Sequence, residues 1–389
     1  MKRNEKINLL FVIESLQCGG AEKSLVNLLQ NLDYRIFDVD LLLLNKKGEF
    51  LNVVPSEVNI VHKVVKHEAN GLLLSLFRVY YFFLREVYSS KIHGAQLYWR
   101  SLGYLIKPQS KNYDIAIAYN QGFSTYFVAS KVKANKKFAW LNTDYLKAGY
   151  SIKFDYKFYE KYNTVVCVSQ ESELSLNRAL KSIDKKLKTT VIEDIIDEEV
   201  IKKLSENVIE FPKKGNKNTK IVTVARLAKA KGIDLAIKTC KELKEKGGNI
   251  IWYVVGDGPE RADIEKMILD YKLENNFILL GFKENPYSYI KQCDIYVQTS
   301  YFEGLGLTLI EAKILKKAIV TTNFDTAHSI IEHEKDGLIS TANPIEISEC
   351  IKKYIDDDSF KNEILKNISK KKQFDKNGSL KKINELLNS

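Results

Sequence analysis

The sequence lacks several features that would define its class at once. No run approaches the ~20 consecutive apolar residues of a membrane-spanning helix. The five cysteines are scattered without a Cys-x-x-Cys pair, so neither a disulfide framework nor a zinc site is expected, and a reducing cytoplasm is favoured. The first apolar run, Ile7–Ile13, is one strand long and is followed by Glu14, which is not the shape of a signal peptide. Solenoid repeats and low-complexity tracts are absent as well.

The composition is that of a soluble globular protein large enough for two α/β domains. Of the 389 residues, 45% are apolar and 28% are charged, which excludes disorder and fibrous structure. This length exceeds one compact core. Short runs rich in Ile, Val and Tyr alternate with stretches whose apolar residues recur every three or four positions. This alternation predicts parallel sheets covered by helices on both faces.

The pattern predicts particular strands and helices. Strands are expected at Ile7–Ile13, Phe37–Leu44, Tyr113–Tyr119, Lys137–Leu141, Thr164–Ser169, Lys220–Ala225, Ile250–Val255, Phe277–Leu280, Asp294–Gln298 and Ala318–Thr321. Clear helices are expected at Glu22–Leu32, Ile233–Glu245 and Arg261–Tyr271.

The domain prediction places two doubly wound domains on either side of a polar linker. Residues 1–210 form the first domain, 211–220 the linker and 221–370 the second domain, and 371–389 form a helical tail expected to pack back on the first domain. The two domains are expected to face each other across a cleft. Ligands of such sheets bind at the carboxyl ends of the strands.

Positive charge is concentrated between positions 60 and 140, where twelve Lys/Arg accompany three Asp/Glu, so this fifth of the chain carries +9 of the net +11. On the helix predicted at 71–88, Ser75, Arg78 and Arg85 share a narrow stripe. Two interpretations remain open: a helix lying on an anionic membrane, with Arg78 and Arg85 facing it, or a nearly buried helix flanked by solvated lysines. No nucleic-acid motif accompanies the charge, so nucleic acid is not an expected partner.

The strongest motif is SYFEGLGLTLIEA at 300–312, which follows an apolar strand and leads into a helix. Glu303 lies in the connecting loop, and Gly304 and Gly306 allow a ligand close to the backbone. The free N–H groups at the start of the helix form a ready anion site. Glu311 lies about one turn inside the helix, so two carboxylates flank the anion site. By themselves, the two carboxylates also fit a helix-start acid and a surface residue.

A second loop follows the strand predicted at Lys220–Ala225 and contains Arg226 and Lys231. A planar guanidinium and a compact ammonium at one strand end suit a diphosphate, although two solvated cations would look the same. Two glycine-rich turns, at Gly19-Gly20 and at Gly256-Asp257-Gly258-Pro259, also follow strands. Neither is a full Gly-x-Gly-x-x-Gly fingerprint, which disfavours a nicotinamide-dependent oxidoreductase.

Together these loops resemble the retaining glycosyltransferases of family four, glycosyltransferase group 1, which have the GT-B fold of two facing Rossmann-like domains. The resemblance covers most of residues 7–340 and is strongest after Lys220. The matching elements are Gly19-Gly20-Ala21-Glu22, Arg226-Leu227 with Lys231-Gly232, Gly256-Asp257-Gly258-Pro259, Glu303-x7-Glu311 and the stretch 321–340.

The resemblance implies a role for each matching residue. Glu303 is expected near the reacting carbon of the donor sugar, Glu311 at the ribose hydroxyls, and Arg226 and Lys231 at the diphosphate. Further donor contacts are expected from Gly19, Gly20, Asn142, Gly256, Phe282, Lys283, Gly304, Leu305, Gly306, Leu307 and Thr308.

Two positions depart from the family pattern. Asn142 stands where many relatives carry the histidine of Trp-x-His. An asparagine can hydrogen-bond a sugar hydroxyl but cannot transfer a proton near neutral pH. Asp194 stands where relatives commonly carry asparagine.

The resemblance implies metal-independent hexosyl transfer, without a cofactor, from a nucleotide-diphosphate sugar to a glycan or lipid-linked glycan. A UDP-sugar is the expected donor, and surface polysaccharide or capsule assembly at the inner face of the plasma membrane is the expected process. Two alternatives remain open: a GT-B sugar-nucleotide epimerase, and a non-catalytic partner subunit of another transferase. The intact pair of Glu303 and Glu311 argues against the partner subunit.

Overall fold

The computed structural model describes residues 6–17, 19–62, 71–88, 92–212, 218–370 and 375–388. The chain divides into two compact units. Unit 1 comprises residues 1–195 and 377–389, and unit 2 comprises residues 196–376.

Unit 1 is organised around one parallel sheet. Among the described residues its strands are β1 (Ile7–Ile13), β2 (Phe37–Leu43), β3 (Asn59–His62), β4 (Asn112–Ala118), β5 (Lys133–Leu141), β6 (Thr164–Cys167) and β7 (Thr189–Val191). Their spatial order is β3-β2-β1-β4-β5-β6-β7, and each neighbouring pair is parallel. This order reverses direction between β1 and β4, as in a Rossmann fold.

Six α-helices of unit 1 lie before residue 195 among the described residues. They are α1 (Gly20–Leu29), α2 (Gly71–Tyr88), α3 (Gly94–Leu102), α4 (Phe123–Lys131), α5 (Ile152–Tyr159) and α6 (Gln170–Lys181). Aromatic side chains fill the space between α3, α4 and α5, where the ring of Trp99 meets the rings of Phe123, Tyr126 and Phe158.

Unit 2 repeats the same strand order. In its described residues the strands are β8 (Thr219–Val224), β9 (Ile250–Val255), β10 (Phe277–Gly281), β11 (Ile295–Gln298), β12 (Ala318–Thr322) and β13 (Leu338–Ser340). They lie in the order β10-β9-β8-β11-β12-β13, again with parallel neighbours. All six residues of β9 and all five of β12 are buried, as expected for parallel strands covered on both faces.

The helices of unit 2 begin before its first strand. In the described residues they are α7 (Glu198–Ser205), α8 (Ile233–Glu245), α9 (Arg261–Asp270), α10 (Tyr287–Gln292), α11 (Leu307–Ile314), α12 (Ala327–Ile330), α13 (Pro344–Asp356) and α14 (Asp358–Lys370). The last helix of the chain, α15 (Lys376–Asn388), belongs to unit 1 except for its first residue.

The boundary between the units lies between residues 195 and 196, earlier than the predicted end of the first domain at 210. The reason is that α7 packs in unit 2: the Leu204 carbonyl accepts hydrogen bonds from Asn285 Nδ2 (2.8 Å) and Ser288 Oγ (3.1 Å) at the start of α10. Residues 213–217 of the predicted linker lie outside the described residues. At the C-terminus, Lys382 of α15 donates to the Val191 carbonyl at the end of β7 (3.3 Å).

The expected elements are confirmed with small shifts of their ends. Ile7–Ile13, Ile250–Val255 and Ile233–Glu245 have their predicted bounds, whereas β5 starts earlier, at Lys133. The strands β3, β7 and β13 were not predicted. Each has only three or four residues and lies at a sheet edge, so none contains a long apolar run.

Helix α2 corrects one expectation. Its Arg78 and Arg85 are both exposed, but the interpretation of a nearly buried helix is wrong. Seven of its large apolar side chains are 39–67% exposed, although Tyr81 packs edge-on against Tyr98 of α3. None of the described helices has both the length and the apolar character needed to cross a bilayer.

Candidate active site

The strand order of unit 2 brings two of the predicted loops together. Strands β8 and β11 are neighbours at the point where the order reverses, so the loops after them meet at the usual ligand-binding edge. The Tyr301 N–H donates to the Ala230 carbonyl (2.8 Å), and Thr299 Oγ1 donates to the Lys231 carbonyl (3.2 Å). Gly232 has a φ of +58°, and an added Cβ would lie 2.0 Å from the Thr299 oxygen. This contact therefore requires glycine.

Glu303 is the centre of this contact. Its Oε2 accepts a hydrogen bond from Lys231 Nζ at 2.5 Å, and its Oε1 accepts from Ser300 Oγ at 2.7 Å and from Gln298 Nε2 at 2.9 Å. The Glu303 side chain is only 10% exposed, and the Lys231 side chain is 27% exposed. Three donors, one of them cationic, therefore hold both carboxylate oxygens in a fixed position.

The start of α11 lies beside this carboxylate. Gly306 precedes the helix in the left-handed conformation (φ 85°, ψ 45°), which favours glycine. The first intrahelical bonds run from the N–H groups of Leu309 and Ile310 to the Gly306 carbonyl. The N–H groups of Leu307 and Thr308 precede them and form the positive end of the helix. Thr308 Oγ1 also donates to Gln298 Oε1 at 3.2 Å, which links the helix to the partners of Glu303.

Glu311 is buried, with 3% of its surface exposed, so the interpretation as a surface residue is wrong. It lies near Tyr296 of β11. Burial raises the pKa of the Tyr296 phenol, and the charges of Glu311 and Glu303 add to this shift.

Arg226 does not join this cluster. Its side chain is exposed and makes no hydrogen bond or ion pair with the described residues. Its loop is nevertheless fixed, because Leu227 is fully buried and exchanges backbone hydrogen bonds with Asp257 and Glu260. The structure places Arg226 on the same strand-end loop as Lys231.

The remaining unit 2 predictions lie along the same edge of the sheet. Gly256 has a φ of +143°, and an added Cβ would lie 2.0 Å from the Ala225 oxygen. Only glycine therefore lets the backbones of the loops after β8 and β9 approach this closely. Gly256 N–H also donates to the Gly281 carbonyl (2.9 Å), directly before the half-buried Phe282 and Lys283. Gly304 and Leu305 are buried in the loop that carries Glu303.

Unit 1 has a different polar cluster at the carboxyl edge of its sheet. Gly19 and Gly20 open α1 after β1, while Cys18 before them lies outside the described residues. One turn further, the Ser24 hydroxyl donates to Asp194 Oδ1 and lies 2.9 Å from the Tyr119 hydroxyl. Burial raises the pKa of Asp194 to about 7; the Ser24 hydrogen bond opposes this shift and Glu193 adds to it.

Asn142 belongs to this edge as well. Its Nδ2 donates to the Tyr119 carbonyl (2.6 Å), and its backbone N–H donates to Gln121 Oε1 (3.2 Å). Its Oδ1 is buried and has no hydrogen-bond partner among the described residues, so it is able to accept from a hydroxyl. Asp194 therefore contacts the Ser24 side chain, and Asn142 contacts the Tyr119 backbone. These are the two positions that depart from the family pattern.

Sequence reasoning missed Gln298, Ser300, Ser24 and Tyr119. Gln298 and Ser300 are 2% and 1% exposed, and the available signal was their position: polar residues at the end of an apolar strand. Ser24 and Tyr119 gave no comparable signal, because their partner Asp194 is distant in sequence. In the described residues, no group of three or more His, Cys, Asp or Glu side chains is arranged to hold a metal ion.

The protein thus consists of two Rossmann-like units, and in unit 2 the Lys231–Glu303 pair lies beside the start of α11 at the strand edge. The Anabaena protein HepE, solved in complex with UDP and glucose, shares this architecture with a TM-score of 0.72 and 18% identity, over 98% of this chain and 100% of that one. The predicted fold class, two Rossmann-like α/β domains of the GT-B type, is confirmed by this likeness.

Unit 2 resembles known glycosyltransferases in its sequence. The model of the family "Glycosyl transferases group 1" matches residues 205–373, all of which lie in unit 2. An uncharacterized glycosyltransferase of Methanocaldococcus jannaschii is 28% identical over 206 residues, half of each chain. The poly(ribitol-phosphate) alpha-N-acetylglucosaminyltransferase of Staphylococcus aureus is 31% identical over 137 residues, 35% of this chain and 28% of that one. The matched regions thus span half or less of these relatives.

Proposed function

We propose that the protein is a retaining glycosyltransferase that transfers a hexose from a UDP-sugar to a glycan or lipid-linked glycan. The observation that carries this proposal is Glu303, held by Lys231, Ser300 and Gln298 beside the amide end of α11. This arrangement offers a carboxylate next to an anion site, as transfer from a sugar diphosphate requires. The match of unit 2 to the group 1 glycosyltransferase family and the fold shared with a UDP complex support the same donor class.

In the proposed reaction the bond between the anomeric carbon and the diphosphate oxygen breaks, and negative charge builds on the departing diphosphate. Preorganised cations and amides stabilise such charge most effectively. Lys231, Arg226 and the N–H groups of Leu307 and Thr308 are the groups we assign to this task. Glu303 faces the positive charge that develops on the sugar ring, and Glu311 binds the ribose hydroxyls.

Retention of configuration requires that the acceptor attack from the face that the diphosphate leaves. The acceptor oxygen then forms the new bond to the anomeric carbon, and its proton passes to the departing phosphate oxygen. No protein base is needed, which agrees with asparagine at 142. We assign sugar-hydroxyl binding to the buried Oδ1 of Asn142 and acceptor binding to unit 1.

The process we infer is assembly of a surface polysaccharide, such as a capsule, on the cytoplasmic side of an anionic membrane. Two relatives support this inference by their names: an amylovoran biosynthesis glycosyltransferase of Erwinia amylovora and an O-antigen biosynthesis glycosyltransferase of Escherichia coli, 31% and 34% identical over 129 and 99 residues.

The test is incubation of the protein with a panel of UDP-, GDP- and ADP-sugars, with nucleotide release and thermal stabilisation as readouts. We expect UDP-sugars to stabilise the protein and to be consumed faster when a glycan acceptor is added. Turnover should persist in a chelator, because no step of the proposed reaction uses a metal. An epimerised sugar nucleotide without transfer would identify the epimerase. Binding without turnover, with every acceptor tried, would identify a partner subunit.

A further inference from the structure

A buried carboxyl group joins α5 to three other segments of unit 1. Asp155 of α5 is 1% exposed. Its Oδ1 accepts hydrogen bonds from Gln96 Nε2 of α3 and from the Tyr126 hydroxyl of α4, and its Oδ2 accepts from the Tyr145 hydroxyl, each at 2.7 Å. Tyr145 belongs to residues 142–151, which connect β5 to α5 and which we call the β5 loop. The proposed reaction gives this carboxyl group no part.

Two of the three donors hold the β5 loop. Tyr145 bonds from within the loop, and Gln96 bonds to its last residue. The nitrogen of Gln96 that donates to Asp155 also donates to the Ser151 carbonyl at 3.0 Å, and the Ser151 N–H donates to Gln96 Oε1 at 3.1 Å. The hydrogen bond of Tyr126, in contrast, joins Asp155 to α4 rather than to the loop.

The β5 loop places a stack of rings at the carboxyl edge of the sheet. The Tyr145 ring stacks on Tyr150 with the centroids 5.6 Å apart, and Tyr150 stacks on His93 at 4.0 Å. His93 caps α3, and its Nδ1 accepts from the Ala95 N–H at 3.2 Å. An added Cβ on Gly122, in the turn after β4, would lie 3.1 Å from both the Tyr150 hydroxyl and the Ala95 Cβ. The end of the stack therefore lies where ligands of such sheets bind.

Uncharged hydrogen-bonding groups lie at the same edge. Asn142 begins the β5 loop, bonds through its N–H to Gln121, and has a buried Oδ1 without a partner among the described residues. Because Nδ1 of His93 accepts a backbone N–H, its neutral ring carries the proton on Nε2 and offers a donor. The charge of Glu14, after β1, acts on Tyr150. An uncharged donor and acceptor near a carboxylate suit a sugar hydroxyl better than a phosphate.

We propose that Asp155 is a positioning residue for the acceptor of the transfer reaction. By holding Tyr145 and Gln96, it fixes the β5 loop against α3. The loop and α3 then keep Asn142 and His93 in the arrangement that binds a hydroxyl of the acceptor sugar. Asp155 is buried, so it acts through these residues and does not touch the substrate. This inference rests on the proposed function, because it concerns the acceptor of that reaction.

The test compares Tyr145→Phe with Tyr126→Phe at pH 8, above the pKa of Asp155, which burial raises to about 6. Each variant removes one hydroxyl that donates to the same carboxylate at 2.7 Å, and both rings are fully buried. The urea midpoints should therefore fall by similar amounts. The variants should differ in the acceptor, for which octyl glycosides of glucose, galactose and N-acetylglucosamine are used. Tyr145→Phe should raise the KM for the octyl glycoside by about tenfold.

The other kinetic constants serve as internal controls. In both variants the KM for the UDP-sugar and kcat should stay within about twofold of the wild type, because the loss concerns acceptor binding only. Tyr126→Phe should also leave the KM for the octyl glycoside within about twofold of the wild type, since the loop keeps its bonds to Asp155 and Gln96.

Hydrogen exchange of the β5 loop gives a readout that needs no turnover. The Ser151 N–H is bonded to Gln96, and exchange of the amides at 146–151 should be about tenfold faster in Tyr145→Phe than in the wild type. Tyr126→Phe should leave the exchange of these amides unchanged.

The outcomes separate this proposal from the proposed function. Equal loop exchange or equal acceptor KM values in the two variants would overturn the positioning role and leave Asp155 as a stabilising residue of the core. A rise in the KM for the UDP-sugar, without a change for the octyl glycoside, would assign the loop to the donor. No turnover of any UDP-sugar by the wild type would contradict the proposed function and with it the acceptor role, even if loop exchange differs between the variants.

Discussion

The carboxyl groups of Glu303 and Asp336 in unit 2 differ in their partners from those of Asp155 and Asp194 in unit 1. In unit 2, Glu303 pairs with Lys231 at 2.5 Å, and the fully buried Asp336 pairs with Lys313 at 3.0 Å. In unit 1, Asp155 accepts from Gln96, Tyr126 and Tyr145, each at 2.7 Å, and Asp194 accepts from Ser24. Cations therefore pair with the two carboxylates of unit 2, whereas uncharged groups donate the hydrogen bonds to the two carboxyl groups of unit 1.

The pKa values in unit 1 show the consequence. Burial raises the pKa of Asp155 to about 6 and that of Asp194 to about 7, although hydrogen bonds oppose the shift in both. Asp40 of the same unit behaves differently. Burial acts to raise its pKa too, but donors that include Lys111, at 3.0 Å, lower it overall. Asp40, whose donors include a cation, and Asp155 and Asp194, whose donors are uncharged, therefore have pKa values shifted in opposite directions.

The largest effect is expected at the proposed catalytic residue of unit 2, Glu303. Glu303→Gln keeps the size of the side chain but removes the charge that Lys231 neutralises, so nothing negative remains to face the developing charge of the sugar. We expect transfer to fall by about a thousandfold or more, with nucleotide affinity nearly unchanged. Initial rates and equilibrium binding of UDP measure the two quantities separately.

The control for this variant is Glu265→Gln, which removes a carboxylate of α9 that is 51% exposed and paired with Arg261. Its transfer rate should equal that of the wild type. Normal turnover of Glu303→Gln would remove Glu303 from the reacting centre.

A second variant tests the buried ion pair of Lys313 and Asp336 in unit 2. Lys313→Met leaves Asp336 charged, buried and without its cation, which should lower the free energy of unfolding by about 3 kcal/mol or more. Urea denaturation measures the change. Lys238→Met breaks an exposed pair with Asp234 and should cost less than about 1 kcal/mol. Equal losses in the free energy of unfolding would show that the buried pair stabilises the fold no more than the exposed pair does.

The third prediction concerns Arg226 in the loop after β8. Arg226 is exposed and makes no ion pair with the described residues, so Arg226→Ala should leave stability unchanged. Transfer should slow by about a hundredfold, as expected when one group that stabilises the departing charge is lost. Steady-state kinetics with a UDP-sugar check this, and Arg178→Ala serves as the control. Full activity would mean that the diphosphate is bound elsewhere.

The unit 2 site was largely predictable because its residues are close in sequence. Glu303, Gly306, Thr308 and Glu311 fall within one strand–loop–helix unit, and Lys231 follows the strand adjacent to theirs. Strand order then brings the two loops together. The hydrogen bonds of Gln298 and Ser300 to Glu303 were not predictable, because buried polar residues at a strand end have many potential partners.

Long-range contacts account for what the sequence did not reveal. Ser24 and Asp194 are far apart in the chain, so their pairing appears only in the folded sheet. The placement of α7 in unit 2 depends on the contact between Leu204 and Asn285, which no local pattern encodes. Helix α2 was ambiguous because it is apolar on two sides, and periodicity does not tell which side the fold covers.

The smallest effect is expected for Asp194 of unit 1, where substitution should change the pH dependence of stability. The pKa of Asp194 in the folded state, about 7, lies above its ordinary value of 3.8. Between these values the folded state binds the proton more tightly than the unfolded state does. This contribution to stability is therefore complete below about pH 4 and is lost as the pH rises through 7. Asp194→Asn carries no charge and should raise the free energy of unfolding at pH 8 by about 2 kcal/mol, with little change at pH 4.

Urea denaturation of both proteins across this pH range measures the difference. Asp184→Asn is the matched control, because Asp184 is an exposed carboxylate of the same unit in a left-handed conformation that asparagine also tolerates. It should have the same stability as the wild type at each pH. If Asp194→Asn is no more stable at pH 8 than the wild type, Asp194 is stabilised as a carboxylate. The lack of a cationic partner would then not account for the raised pKa of Asp194.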